Sequence, residues 1–185
     1  MCKYIWEGSK VRLRPIMPCD WEKFHENDMD TEVSRLCDAV HKPRSPEGTR
    51  LWAERSANEQ AEGDNARFAI ETLAGELIGS INAHSCDPKN GTFKYGLGIF
   101  RNHWRRGYGS EAIMILLQYY FHELRYQKAT AHVYAFNNGS IQLHGSLGFQ
   151  HEGRLRRMVY TQGQYFDEIL FGMTKEEFDC RTTES

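Results

Sequence analysis

At about residue 66 the apolar residues change their spacing, and that change restricts the chain to a fold mixing helices and sheet. Upstream of it, Ser45-Pro46-Glu47 opens a helix: serine caps the first turn, and proline at the first helical position loses nothing by lacking an N–H. That helix carries Leu51, Trp52 and Ser56 and runs to about Glu62, where Gly63 ends it. Downstream, residues 67–73 and 76–84 are strand-like runs joined by a tight Ala74-Gly75 turn. Residues 87–91 make a turn and 92–99 the next strand. From Gly107 to about Leu124 a long amphipathic helix sets Ile113, Leu116, Leu117 and Tyr120 on one side. A strand over 128–135 and a short helix over 138–147, closed by Gly148, follow. Residues 149–160 and 165–173 form a hairpin around Gln162-Gly163. Near the start, residues 11–16 read as a strand, Asp20 as the cap of a helix through Trp21, Phe24 and His25, and 27–40 as a short helix with loops. The tail from Thr174 reads as weakly ordered. This order implies an α+β fold around a single mixed, mostly antiparallel twisted sheet flanked by helices. With no repeat and no linker, one domain is expected over residues 1–185, its ordered core from about 8 to 178.

The formal net charge is −2, which supplies no field for nucleic acid or an anionic membrane. The apolar stretch 112–117 is far too short to span a bilayer, and the scattered charges of residues 1–14 leave no apolar signal core. Five dispersed cysteines, Cys2, Cys19, Cys37, Cys86 and Cys180, suit a reducing cytoplasm and lack the close pairs of a structural zinc site. A cytoplasmic protein without metal, nucleic-acid partner or membrane partner is therefore expected.

The segment that carries chemistry runs from Tyr95 to Ala112. A strand ends, a basic turn follows, and a helix begins at or just before Gly107. Helix N-termini present unpaired N–H groups and partial positive charge, so they attract anions. Gly107 and Gly109 let a phosphate approach the backbone closely, and Arg101, Arg105 and Arg106 add positive charge at the rim. This is no P-loop, since no Gly-Lys-Ser/Thr follows, and no dinucleotide fingerprint, which needs a third glycine. Arg-Gly-x-Gly taken alone reads as an ordinary strand–turn–helix ahead of a phosphate site.

A second segment adds to it: Asn137-Asn138-Gly139-Ser140, then Gly148-Phe149 and Glu152-Gly153. In order and spacing these two segments resemble the GNAT superfamily of N-acetyltransferases. The later stretches Arg154-Leu155-Arg156, 163–167 and 170–173 look like its branch of ribosomal-protein N-terminal and spermidine acetyltransferases. The resemblance implies acetyl-coenzyme A as co-substrate and a primary amine, on a small molecule or a peptide N-terminus, as acceptor. It implies that the backbone of Trp104, Arg105, Arg106, Gly107, Tyr108, Gly109 and Ser110 holds the pyrophosphate. Leu97, Gly98 and Ile99 would pair with the pantetheine arm, and Asn137 and Ser140 would contact that arm or its phosphates, unless they simply cap a helix. Trp104 stands where relatives prefer Gln or Arg, Ser146 where a lysine is common, and His144 where many have the tyrosine general acid. His144 is accordingly the candidate catalytic acid, against a bland alternative as a surface or capping histidine. Glu71, His84 and Asp87 are open as the base, though each reads more readily as a solvated strand residue, and Glu111 reads as structural at the first turn of its helix. Three acids, Asp28, Asp30 and Glu32, either draw a cationic amine or form a solvated loop. The competing function is an inactive coenzyme A-binding sensor or interaction module. The oligomeric state stays open, a homodimer included.

Overall fold

The computed structural model describes residues 4–59 and 63–183. Cys2 and Glu62 lie outside them, and the helix expected to run to about Glu62 ends earlier, at Asn58, where Glu59 turns extended. The strands are β1 (Val11–Arg14), β2 (Ala66–Thr72), β3 (Leu77–Asp87), β4 (Thr92–Ile99), β5 (Lys128–Tyr134), β6 (Gln150–Thr161) and β7 (Gln164–Thr174). The helices are α1 (Trp21–Asp28), α2 (Thr31–Cys37), α3 (Pro46–Asn58), α4 (Tyr108–His122), α5 (Asn138–Ser146) and α6 (Lys175–Thr183). The strands form one mixed sheet in the order β1-β2-β3-β4-β5-β7-β6, the α+β arrangement expected. Pairing is antiparallel for β1/β2, β5/β7 and β6/β7, and parallel for β4/β5. The chain packs as two compact units, residues 1–82 with 97–116 and residues 83–96 with 117–185, whose boundaries fall inside β3, β4 and α4.

In the first unit, alternation along β1 buries Val11 and Leu13 and leaves Arg12 and Arg14 half-buried. Ile16, Phe24, Ala69 and Leu77 form a core cluster, onto which Trp52 and Phe100 pack. Phe24 meets both rings edge-on, at 5.1 and 5.9 Å. Ser45 caps α3 as expected, its Oγ accepting from the Gly48 N–H at 3.1 Å. Asp20 does not cap α1. The two terminal nitrogens of the Arg14 guanidinium grip its carboxylate at 2.8 and 2.9 Å, and the Met17 N–H donates to it at 2.7 Å. The arginine fork offers two charge-assisted bonds, more than one helix amide can. The Glu111 carboxylate on α4 accepts from the N–H groups of Ser9, Lys10 and Val11 and from the Ser9 hydroxyl, at 2.6–2.8 Å. It ties the segment before β1 in place, the structural role expected.

In the second unit, Phe93 stacks on Tyr120 at 4.4 Å and meets Tyr126 edge-on at 5.5 Å. The β6–β7 turn takes Gln162 and Gly163 at φ of 51° and 78°, as a two-residue hairpin requires. The tail departs from expectation, because it is the helix α6. Its signal was present in Thr174-x-x-Glu177: the Thr174 N–H donates to the Glu177 carboxylate at 2.8 Å and the Glu177 N–H donates to the Thr174 hydroxyl at 3.3 Å. Phe178, 2% exposed, docks edge-on against Phe121 at 5.5 Å and fixes the helix through burial.

Candidate active site

The turn after β4 is built by backbone signs. Arg105 has φ of 60° and Gly107 φ of 80°, while Arg106 between them is not among the positive-φ residues. Alternating signs aim successive amide hydrogens toward one side, the geometry of an anion-binding nest. Among the described residues, no protein acceptor takes the amide hydrogens of residues 105–110. A helix start alone leaves only about four such orphans, and here the turn extends the run. The run begins at Arg105 because the Trp104 N–H donates to the Arg101 carbonyl at 3.2 Å. The turn's own side chains leave these amides open, while Lys10 supplies a cation nearby: its ammonium donates to the Arg106 carbonyl at 3.4 Å and would lie 2.8 Å from a Cβ on Gly107.

Arg101 does not add its charge to this rim. Its guanidinium holds the Asp30 carboxylate at 2.6 and 2.7 Å and Glu32 at 2.9 Å. That pairing pulls the Asp30 carboxyl down to about 2. Two sequence expectations thus meet: the rim arginine is drawn off the turn by two of the three acids, and its one positive charge offsets one of their two negative charges. Of the base candidates, Glu71 is buried and each of its oxygens takes a guanidinium, Arg12 at 2.6 Å and Arg14 at 2.5 Å. Burial pushes its carboxyl up, but the arginines outweigh it and hold it below the usual range. Asp87 accepts the N–H groups of Lys89 and Asn90 at 3.0 Å and is held low by them. Only His84 keeps a basic nitrogen, its pKa lowered by burial and by Lys94.

The end of β4 lies beside this turn in the same unit. The Phe100 N–H donates to the Ile78 carbonyl at 2.8 Å, and the Trp104 indole N–H donates to the Ile99 carbonyl at 2.7 Å. Gly79 is required here, since a Cβ on it would lie 2.1 Å from the Gly98 carbonyl oxygen. The β4/β5 ladder covers Thr92–Lys128 to Lys94–Thr130 and stops there.

In the second unit Asn137 caps α5, its side-chain oxygen accepting from the Ser140 N–H at 3.0 Å. His144, one turn on, is 4% exposed inside a box of Tyr95, Phe149 and Phe171, stacked on Phe171 at 5.4 Å. Its Nδ1 lies 2.7 Å from the Ser140 carbonyl oxygen, which can only accept, so Nδ1 carries the proton. Nε2 is therefore a bare lone pair, buried without a protein partner, as is the Tyr95 hydroxyl. Burial lowers the imidazole pKa, so the ring is neutral at neutral pH. In that state Nε2 can take a proton and holds none to give.

Among the described residues, no cluster of His, Cys, Asp or Glu is arranged to hold a metal ion. No helix among them is long and apolar enough to cross a membrane.

Residues 10–150 match the acetyltransferase (GNAT) domain family. The SPbeta prophage-derived uncharacterized N-acetyltransferase YokL of Bacillus subtilis is 43% identical over 97% of this chain and 98% of its own length. The uncharacterized N-acetyltransferase YoaA of the same organism is 35% identical over 92% of this chain and 97% of its own. Among solved structures, a GNAT-family acetyltransferase from Bacillus anthracis superposes with a TM-score of 0.78 at 22% identity, over 92% of this chain and 98% of its own. A spermidine N-acetyltransferase from Vibrio cholerae, in complex with CoA and spermine, shares the fold with a TM-score of 0.78 at 20% identity, over 92% and 98% of the two chains. The fold, the open turn before α4 and these relatives agree, and the chain belongs to the GNAT family of acetyltransferase enzymes.

Proposed function

We propose that the enzyme moves the acetyl group of acetyl-coenzyme A onto a primary amine, by direct attack of the amine on the thioester carbonyl. The observation that carries this reading is the run of open amide hydrogens at residues 105–110, which offers a diphosphate more donors than a plain helix start. Arg105, Arg106, Gly107, Tyr108, Gly109 and Ser110 hold the diphosphate through their backbone, with Lys10 adding charge beside them. Leu97, Gly98 and Ile99 pair with the pantetheine arm as a neighbouring strand would, and the Ile99 N–H stabilises the oxyanion. Asn137 and Ser140 contact the arm while Asn137 keeps its capping bond.

An alkyl amine has a pKa of about 10.4, so a proton must leave it before or during attack. The departing thiolate, whose pKa is about 8.5, needs a proton only weakly. The ammonium gives up two protons in all: one passes to solvent before attack, and the second leaves the nitrogen as the C–N bond forms, is taken up by the neutral His144 ring at Nε2 and is returned to the thiolate sulfur as the C–S bond breaks. The acceptor is a small-molecule or peptide amine. Asp30 and Glu32 share the single positive charge of Arg101, so the cluster keeps one net negative charge.

The test is an acetyl-coenzyme A turnover screen across polyamines, aminoglycosides and peptide N-termini, following thiol release. Turnover with at least one amine is expected. Tight coenzyme A binding without turnover on any amine would replace this reading by a sensor or interaction module.

A further inference from the structure

Trp104 and Arg101 are left over from the cofactor reading: the indole is no phosphate ligand, and the guanidinium is spent on two carboxylates. Their contacts nevertheless form one continuous chain in the first unit. Asp30 caps α2, accepting from the N–H groups of Glu32 and Val33 at 3.2 and 3.1 Å. The same carboxylate, with Glu32, grips Arg101. The Arg101 guanidinium lies 5.1 Å from the centre of the Trp104 ring, a cation–π contact that restricts the ring. The indole N–H then donates to the Ile99 carbonyl at 2.7 Å.

The peptide that ends β4 is consequently held at both polar ends. Its carbonyl, from Ile99, accepts from Trp104, and its N–H, from Phe100, donates to Ile78 at 2.8 Å. A peptide plane fixed at both ends cannot rotate, so the direction of the preceding Ile99 N–H depends on a single residue's torsions. On the opposite strand Gly79 permits the backbone approach that this course of β4 demands.

We infer that Trp104 is a positioning residue, acting through the Ile99 carbonyl and steadied by Arg101 with Asp30 and Glu32, that sets the backbone at the end of β4 for acetyl transfer. It touches neither reacting atom; its indole N–H aims the strand that does. This rests on the proposed cofactor placement, and it gives a function to a side chain that the cofactor reading leaves unused.

The test is Trp104→Phe, which keeps a ring beneath Arg101 and removes only the N–H donor. The side chain is 36% exposed, so the substitution leaves the core alone. Three readouts are taken on the full chain: acetyl-coenzyme A Kd by calorimetry, kcat with the best amine of the screen, and hydrogen exchange of the Phe100 amide. The expected result is a Kd within about twofold of wild type, a kcat lowered about tenfold, and Phe100 exchange accelerated about tenfold, since a misaimed donor costs less than a lost one. Unchanged exchange overturns the inference whatever the kinetics show. So does a weakened Kd with unchanged kcat, which would make the side chain a cofactor contact. Should the wild-type enzyme turn over no amine, the acetyl-transfer reading fails by itself, and Phe100 exchange still decides whether Trp104 positions the strand.

Discussion

Replacing Gly107 by glutamate separates the anion site from the fold. The residue sits at φ of 80°, where an L side chain costs about 1–2 kcal/mol. A Cβ there would meet the Lys10 ammonium at 2.8 Å, but that group ends a flexible side chain and can shift. For a chain of this length the strain should lower Tm by roughly 2–8 °C. The effect on ligand binding is larger. A carboxylate among the open amides of residues 105–110 competes for them and repels the diphosphate. Losing two charge-assisted hydrogen bonds at about 1.5–3 kcal/mol each gives about 3–6 kcal/mol, a roughly 10²–10⁴-fold weaker acetyl-coenzyme A Kd. Gly107→Ala isolates the strain: it should show the same melting shift with an affinity loss of no more than about tenfold. Calorimetric titration and thermal melts of the three proteins make the comparison. A Gly107→Glu protein with lowered Tm and an affinity within threefold of wild type would show that the turn holds no phosphate.

Other outcomes follow from single residues. His144→Phe should lower kcat more than acetyl-coenzyme A affinity, and equal rates would remove the imidazole from the reaction. Because burial depresses the folded pKa of His144, the unfolded chain binds the proton first. Stability is then complete above the unfolded value of ~6.5 and is lost as pH falls from there toward the depressed folded value. Melts between pH 7.5 and 5 should therefore drop less in His144→Phe than in wild type, and parallel curves would contradict this. Phe178→Ala should cost about 3–5 kcal/mol in urea unfolding by undocking α6 from Phe121, and a loss below about 1 kcal/mol would mean the helix contributes little. Glu111→Ala leaves three backbone N–H groups and a hydroxyl without their acceptor and should destabilise by about 3 kcal/mol, again read by urea unfolding.

Much of this molecule was legible in the chain because its signals are local. A change from helical to alternating spacing marks the β2–β3 hairpin, Ser45-Pro46 marks the start of α3, and Gly107 marks a turn where a Cβ would be strained. Each depends on neighbours within a few residues, where backbone sterics and capping act. The helix α6 was legible in the same way, through Thr174-x-x-Glu177, but its short length and polar surface concealed the capping box.

What only the tertiary structure decided concerns charge and burial, which depend on groups far apart in sequence. Arg101 reads as a phosphate ligand until Asp30 and Glu32, some seventy residues earlier, are found on its guanidinium. Glu71 reads as a free carboxylate until two arginines of β1 close on it. His144 reads as an ionisable acid until Tyr95, Phe149 and Phe171 enclose it and keep it neutral. Sequence determines which torsions and periodicities are allowed. The state of an ionisable group is set by the dielectric and the charges within a few ångströms, and only the folded chain brings those together.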